Sequence, residues 1–297
     1  MNAGLRRAAA GALALPLLLL SGCLFTTRKL PVPRMPEVVQ TVSAEDLVAQ
    51  LNQRWAALES LNASVDIQAS VLKPKDGLAK DYTSFRGIIL VRKPEMLRVY
   101  GRVPVIGTRM FDMVSDGKNF TLYIPSKNKA VKGSNSLKKK SRSQLENMRP
   151  GFFFDAMVVR GLAPDEFYAV AADTDTMVDA TKKHLLLTPE YILNVMRRKP
   201  GSQQLELVRV IHFHRDDLLP YQQDVYDSEG TLETQIFYAR YADYGPTHYP
   251  STITIKRPLE EYQVVMTVEK VVENMALTDD QFQINNIPEG TIIQKLE

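Results

Sequence analysis

Val114-Ser115-Asp116-Gly117-Lys118-Asn119-Phe120-Thr121-Leu122-Tyr123-Ile124-Pro125 sets an Asp-Gly pair between two short apolar runs, residues 110–115 and 119–124. Asp-Gly in that setting is a strong hairpin signal, because a tight turn between strands needs positive φ and glycine adopts it without steric cost. The stretch predicts two antiparallel strands, and its surroundings repeat the pattern. Upstream, residues 63–72 alternate (Val65, Ile67, Ala69, Val71), Gly77 marks a turn, and residues 82–91 lead through Lys93-Pro94 to a run at 96–103. Downstream, strands resume from about His184 at 191–198, 205–214, 222–226, 231–242, 251–257, 263–273 and 291–294. Pro200-Gly201, Glu229-Gly230 and Tyr244-Gly245-Pro246 supply turns between them.

Helical spacing interrupts this pattern twice. Ser43 fits an N-cap with Asp46 at the third helical position, and Leu47, Leu51, Trp55 and Leu58 recur on one face through Leu61. Residues 141–149 and 152–161 carry two shorter helical patterns, with Phe153, Met157 and Arg160 on one side and Phe154 and Val158 beside them. The expected fold is α+β: a curved antiparallel sheet or unclosed β-barrel of about eleven strands, its concave side covered by one long and two short helices.

Cys23 is the only cysteine in 297 residues and ends Leu20-Ser21-Gly22-Cys23. Arg6 and Arg7, the apolar run at 8–20 and the small residues before Cys23 form a secretory signal layout. That run is too short for a membrane-spanning helix. The tetrapeptide resembles a bacterial lipobox, which implies acylation of Cys23; several acyl chains together give a stable membrane anchor. Residues 1–22 are thus expected to be a lipoprotein signal peptide. Residues 23–41 read as the acylated cysteine with a flexible tether, kept extended by Pro31, Pro33 and Pro36. One domain follows at 42–297, long enough for one sizeable core. The balance of 37 basic to 34 acidic residues speaks against nucleic-acid binding, and a single cysteine forms neither a disulfide nor a thiolate metal site.

In chain order, several segments resemble the LolA/LolB-like family, which carries lipoproteins to and into the outer membrane of Gram-negative bacteria. The early helix closing on Leu61-Asn62-Ala63 resembles the family's opening, and residues 114–125 its Ser-Asp-Gly hairpin. Residues 85–94 resemble a strand of the LolA carrier in which an arginine just before the proline helps keep a lid shut. Lys93 occupies that position here and is the lid-latch candidate. Arg92, its neighbour, points to the opposite face by strand alternation and cannot simply replace it. Residues 103–108 resemble a loop of LolB, the lipid-anchored acceptor, and residues 150–162 its second helical segment. Asp280-Gln281-Phe282 with Ile287-Pro288-Glu289-Gly290 resembles the ending of the carrier. The features of both branches are mixed. Leu24 stands where lipoproteins kept in the inner membrane of enterobacteria tend to carry Asp; by that resemblance the protein is anchored in the outer membrane with its domain in the periplasm.

The resemblance implies a hollow for acyl chains, and burying alkyl surface stabilises by about 25 cal/mol per Å². Ile89, Val91, Leu97 and Val99 share a strand parity suited to lining it, and Trp55, Phe153, Phe154 and Met157 are placed to close it. Met148 and Met157 add adaptable surface. For each of these, ordinary core packing is the alternative. Val105 and Ile106, between Pro104 and Gly107, are the candidates for an apolar loop tip that meets a membrane, the alternative being that they tuck into the core. Residues 127–142 hold six lysines and one arginine and no acid. This run suits lipid phosphates, an acidic rim on a soluble LolA-type carrier, or plain solvation.

Little in the sequence suggests an enzyme. Of His184, His212, His214 and His248, only His212 and His214 share a strand face, and no His-Glu-x-x-His or cysteine ligand joins them. Asp216-Asp217 and Asp279-Asp280 sit in apparent turns, where carboxylates usually cap. Neither a cofactor nor a metal is expected. The favoured reading is a monomeric, membrane-anchored, non-enzymatic protein that accepts acylated lipoproteins. A phospholipid- or other lipid-binding module, and a structural envelope scaffold whose hollow is filled by its own side chains, remain as alternatives.

Overall fold

The computed structural model describes residues 36, 38–73, 77–103, 107–135, 149–178 and 185–296. Cys23 and the signal segment, Val105 and Ile106, Met148, most of the expected helix at 141–149, and Lys138, Lys139, Lys140 and Arg142 lie outside them. Two compact units divide the chain. The larger spans Pro36–Asp175 and Thr188–Glu297; of the smaller (Met1–Met35 and Thr176–Leu187), residues 176–178 and 185–187 are described, as strand ends.

Helix α1 (Ala44–Ala57) starts where the sequence places it: the Ser43 hydroxyl accepts from the Asp46 amide at 3.0 Å, satisfying one of the helix's orphan donors. Strands β1 (Ser60–Lys73), β2 (Leu78–Asp81), β3 (Phe85–Arg92), β4 (Met96–Arg102), β5 (Arg109–Ser115), β6 (Asn119–Ile124) and β7 (Lys129–Ser134) follow. After helix α2 (Pro150–Met157) come β8 (Glu166–Val178), β9 (Leu185–Arg198), β10 (Leu205–His214), β11 (Pro220–Tyr226), β12 (Leu232–Tyr244), β13 (Thr247–Arg257), β14 (Tyr262–Glu273) and β15 (Ile292–Lys295).

All fifteen strands join one sheet in the order β15-β7-β6-β5-β4-β3-β1-β14-β13-β12-β11-β10-β9-β8, with β2 paired to β1. The sheet is unclosed and almost wholly antiparallel, as expected; only β15 runs parallel to its neighbour β7 in the recorded pairings. Fifteen strands replace the expected count of about eleven. Those that no sequence run marks are β2, four residues long; β7, inside the lysine-rich run; and β8, exposed along most of its length. Sequence alternation is faint in all three because short, basic or exposed edge strands need little apolar patterning.

Two meanders make up the sheet, β3 to β7 on one side and β8 to β14 on the other. β1 joins them by pairing with both β3 and β14. On one face a large apolar cluster gathers Leu61, Val65, Ile89, Val99, Met113, Leu122, Ile253 and Met266 with the side chains of α2. Leu47, Val48 and Leu51 of α1 pack elsewhere, against Tyr191, Leu193, Val195, Ile211 and Phe213 of β9 and β10. On the opposite face Leu277 and Phe282 cover Leu90.

The β5–β6 turn forms as expected. Gly117 has φ +91°, and an added Cβ would stand 2.7 Å from Glu95, so the position has neither conformation nor room for a side chain. The Asp116 carboxylate accepts from the amides of Asn119 (2.7 Å) and Lys118 (2.8 Å). The Asn119 amide foremost holds its carboxyl below the ordinary value of 3.8, against the opposing pull of partial burial. A depressed acid stabilises the fold above its unfolded value, and this is lost as pH falls through the folded one. NMR titration should place Asp116 below 3.8, and Asp116→Ala should remove a stabilising term present at neutral pH but absent at strongly acid pH.

Candidate functional site

α2 is an unusual helix: Pro150, Phe152, Phe153, Phe154, Ala156 and Met157 are buried, leaving it almost no solvent face. Pro150 at its start costs nothing, since the first amides of a helix lack partners anyway. Its rings rest on the candidate strand residues. Ile89, Val91, Leu97 and Val99 are all at most 1% exposed and belong to the same cluster as Phe153, Phe154 and Met157. The Phe152 and Phe153 rings lie tilted against each other with centroids 4.4 Å apart, and Tyr262 stands 6.0 Å from Phe152. The fold brings these residues together, and among the described residues it is the helix's own side chains that pack against the sheet there.

Polar bonds hold α2 by its C-terminal half. The carbonyl of Asp155 accepts from Gln223 (3.1 Å) and from the Tyr238 hydroxyl (3.3 Å), and the Met157 carbonyl accepts from the Tyr249 hydroxyl (2.5 Å). Terminal helix carbonyls need such partners when no water reaches them. Burial pushes both tyrosines well above their ordinary values, so they remain donors. Arg160 lies over the Phe154 ring (4.4 Å) and bridges Asp155 (2.9 Å) and Glu95 (2.7 Å). Burial alone would lower its guanidinium, but the two carboxylates outweigh it and hold it above the ordinary value. Just beyond, Arg209 binds the Gly161 carbonyl (2.8 Å) and Glu166 (3.1 Å).

A cavity of about 200 Å³ opens beside the first turn of α2, lined by Leu97, Phe154, Pro150 and Gly151 on one side and Glu95, Ser115, Asn135 and Arg160 on the other. It touches two of the candidate acyl residues, Leu97 and Phe154, and sets polar groups at their margin. Asn135 donates to Ser115 Oγ (2.9 Å), and its buried carbonyl oxygen has no hydrogen-bond partner among the described residues.

Lys93 is partnered with α1. Its Nζ donates to the carbonyls of Trp55 (2.8 Å) and Ala56 (3.4 Å), pairs with Glu59 (3.4 Å) and lies 4.8 Å from the Trp55 ring centroid. A cation at the C-terminal turn also meets the negative end of the helix dipole. Arg92 turns the other way, as alternation requires, to the Leu277 carbonyl (2.8 Å) and Asp279. Trp55 is half-buried and, with Leu58, reaches the large cluster, whereas the rest of the apolar face of α1 packs on β9 and β10. The expectation that α1 and α2 together cover one hollow therefore holds only at Trp55.

Neither a protein-family profile nor a curated protein matches the sequence. Solved structures match the fold. A LolA superfamily protein from Nitrosomonas europaea aligns with a TM-score of 0.51 and 15% identity over 82% of this chain and 99% of its own. The chain has the LolA-type fold. A DUF1329 family protein from Desulfovibrio piger shares it with a TM-score of 0.52 at 16% identity, over 80% of this chain and 95% of its own.

Within this LolA-type sheet the remaining sequence candidates divide. His212 Nδ1 bonds Glu190 Oε2 (2.8 Å), while His214 stacks on Tyr221 at 4.0 Å. Among the described residues no three His, Cys, Asp or Glu side chains gather as metal ligands. Asp217 accepts from the Leu219 amide (2.8 Å) in a turn, and Asp279 pairs with Arg92. Lys127, Lys129 and Lys132 lie on or beside β7.

Asn274, which the sequence reading passed over, joins α1, β1 and β14. Its side chain accepts from the Glu59 amide (2.7 Å) and donates to the Ala57 carbonyl (2.9 Å), and its own amide donates to Ser60 (2.8 Å). Its φ of +57° suits Asn and Gly. The signal available was an Asn directly after a long strand, which is weak alone. Asn274→Ala adds left-handed strain to two lost hydrogen bonds and should destabilise by about 2–4 kcal/mol in urea unfolding. Asn274→Gly, which avoids the strain, should fall between Ala and the native protein.

Proposed function

We propose that this protein binds acyl chains in the space now filled by α2 and, anchored through Cys23 in the outer membrane and facing the periplasm, accepts lipoproteins from a soluble LolA-type carrier. The observation that carries the reading is α2 itself. Eight residues, six of them buried and three of them phenylalanine, pack on an apolar sheet face without any strand pairing, and beyond that packing the helix is tied by a handful of bonds to its carbonyls and by the Arg160–Glu95 pair. Moving it aside would expose Ile89, Val91, Leu97 and Val99 without breaking a strand pairing.

Acyl binding then competes with α2. A ligand shifts the closed and open populations only through its preference for the open one, and passage from carrier to acceptor without an energy source needs tighter binding at each step. Val105 and Ile106, at the loop between β4 and β5, would hand the chain to the membrane. The role is one of binding and transfer rather than catalysis.

The competition is measurable. Tyr249→Phe removes the donor to the Met157 carbonyl and should weaken closure by about 1–3 kcal/mol, the cost of a buried carbonyl left unpaired. Affinity for a fluorescent fatty-acyl probe should rise accordingly, about tenfold for each 1.4 kcal/mol. Binding that ignores the substitution would place the acyl group elsewhere.

Release is tested separately. Val105→Glu with Ile106→Glu should leave probe binding nearly intact and slow delivery of a bound lipoprotein to vesicles; equal loss of both would contradict this division. The closed core also favours a second reading, a scaffold whose hollow is permanently occupied by its own side chains. That reading predicts no probe uptake by the native protein or by Tyr249→Phe.

A further inference from the structure

The face of the sheet turned away from α2 carries a hollow of about 290 Å³ that the acyl reading does not use. Strand pairing builds it. Lys270 stands opposite Ser64, Ser64 opposite Ile88 and Ile88 opposite Tyr100; the next row is Val272, Asn62, Leu90 and Arg98. All alternate with the buried Ala63, Ile89, Val99 and Val271, so they face the other way. Met275 and Gln281 line the side formed by the C-terminal segment.

Its chemistry is divided. Ile88, Leu90 and Val272 give an apolar floor. Around it stand the Ser64 hydroxyl, the Tyr100 phenol and the Lys270 ammonium, for which the structure records neither a hydrogen bond nor an ion pair to a described residue. Donors converging over apolar surface are the usual form of a small-ligand site.

The electrostatics select an anion. Three guanidinium groups, of Arg98, Arg102 and Arg109, lie 5.4–5.6 Å from the Tyr100 ring centroid. The acids nearby are largely committed: buried Asp112 to Arg98 and Arg109 (2.7 Å each), and Glu269 to Arg86 (3.2 Å). Asp66 lies two residues further along β1. Lys270 and Arg102 have no acidic partner among the described residues. Arg102 ends β4 and Arg109 begins β5, so the cationic rim runs to the base of the loop that holds Val105 and Ile106.

We propose that this hollow binds the phosphodiester headgroup of a glycerophospholipid, with its first methylenes on the Ile88, Leu90 and Val272 floor. The volume lies just below the small-ligand range of about 300–1,000 Å³, which suits a headgroup rather than a whole lipid. Because strand alternation separates the two faces, this site stands or falls independently of acyl binding beneath α2.

Isothermal titration of the full chain in an uncharged maltoside detergent tests it, with dihexanoylphosphatidylglycerol below its micelle concentration and inorganic phosphate as the probes. The lipid should bind, and Lys270→Glu and Ser64→Leu should each weaken it by about tenfold, the scale of a lost charge-assisted contact. Lys199→Glu, the same charge reversal on a distant turn, should not. Absence of lipid binding, or binding untouched by both site variants, would overturn the proposal. Inorganic phosphate binding as tightly as the lipid, with the same variant losses, would overturn the lipid assignment in favour of a simple anion site.

Discussion

β1 and β14 must find each other before the sheet exists as one body. Their registered pairing runs from Leu61 opposite Glu273 to Val71 opposite Tyr262, and Ser60 bonds the Met275 carbonyl across 215 positions of chain. Every other antiparallel neighbour pair in the sheet is formed by strands close in sequence, so each meander can assemble locally. This junction, like the parallel pairing of β15 with β7, carries a large loop-closure entropy, which rises slowly with length but must be met before its contacts repay it. The bonds around Asn274 and Ser60 are concentrated there, where an unjoined β1 would leave two open edges.

That junction also determines what α2 covers. The apolar cluster draws from β1, β3 to β7 and β12 to β14, so neither meander owns it. α2 sits over a surface that exists only once the two are sewn together. The sheet's strength lies in backbone pairing, whereas α2 is held by side chains that reach its carbonyls, and the two therefore differ in how easily they open. Local opening free energies track such differences in protection and density. A sheet paired through its backbone, under a helix tied by side chains, is the arrangement on which the proposed acyl binding relies.

How much of this was legible follows from the same physics. Strands with one buried face announce themselves: the runs at 119–124 and 205–214 coincide with β6 and β10, and Asp116-Gly117 marks its turn, because alternation and positive φ are local signals. β7 was hidden because Lys129 and Lys132 flank Ala130 and Val131, and β8 because an exposed edge strand needs no apolar stripe. The candidate cluster of Ile89, Val91, Leu97, Val99, Phe153, Phe154 and Met157 was readable as apolar and of one parity, but whether it encloses space or fills it depends on where α2 lands. The placement of α1 on β9 and β10 was illegible too, since its stripe specifies an apolar partner without naming one.

β3 shows why one strand can serve two chemistries. Ile89 and Val91 lie beneath α2, while Ile88 and Leu90 floor the hollow on the other side, and Arg92 and Lys93 divide likewise between the C-terminal segment and α1. A period of two makes each residue's face a matter of register, and one slipped position would exchange the contents of both faces. The bonds of Lys93 to the end of α1 and of Arg92 to Leu277 and Asp279 oppose that slip from both sides at once. The register of β3 is thus held by polar contacts beyond its end as well as by the apolar side chains on its two faces.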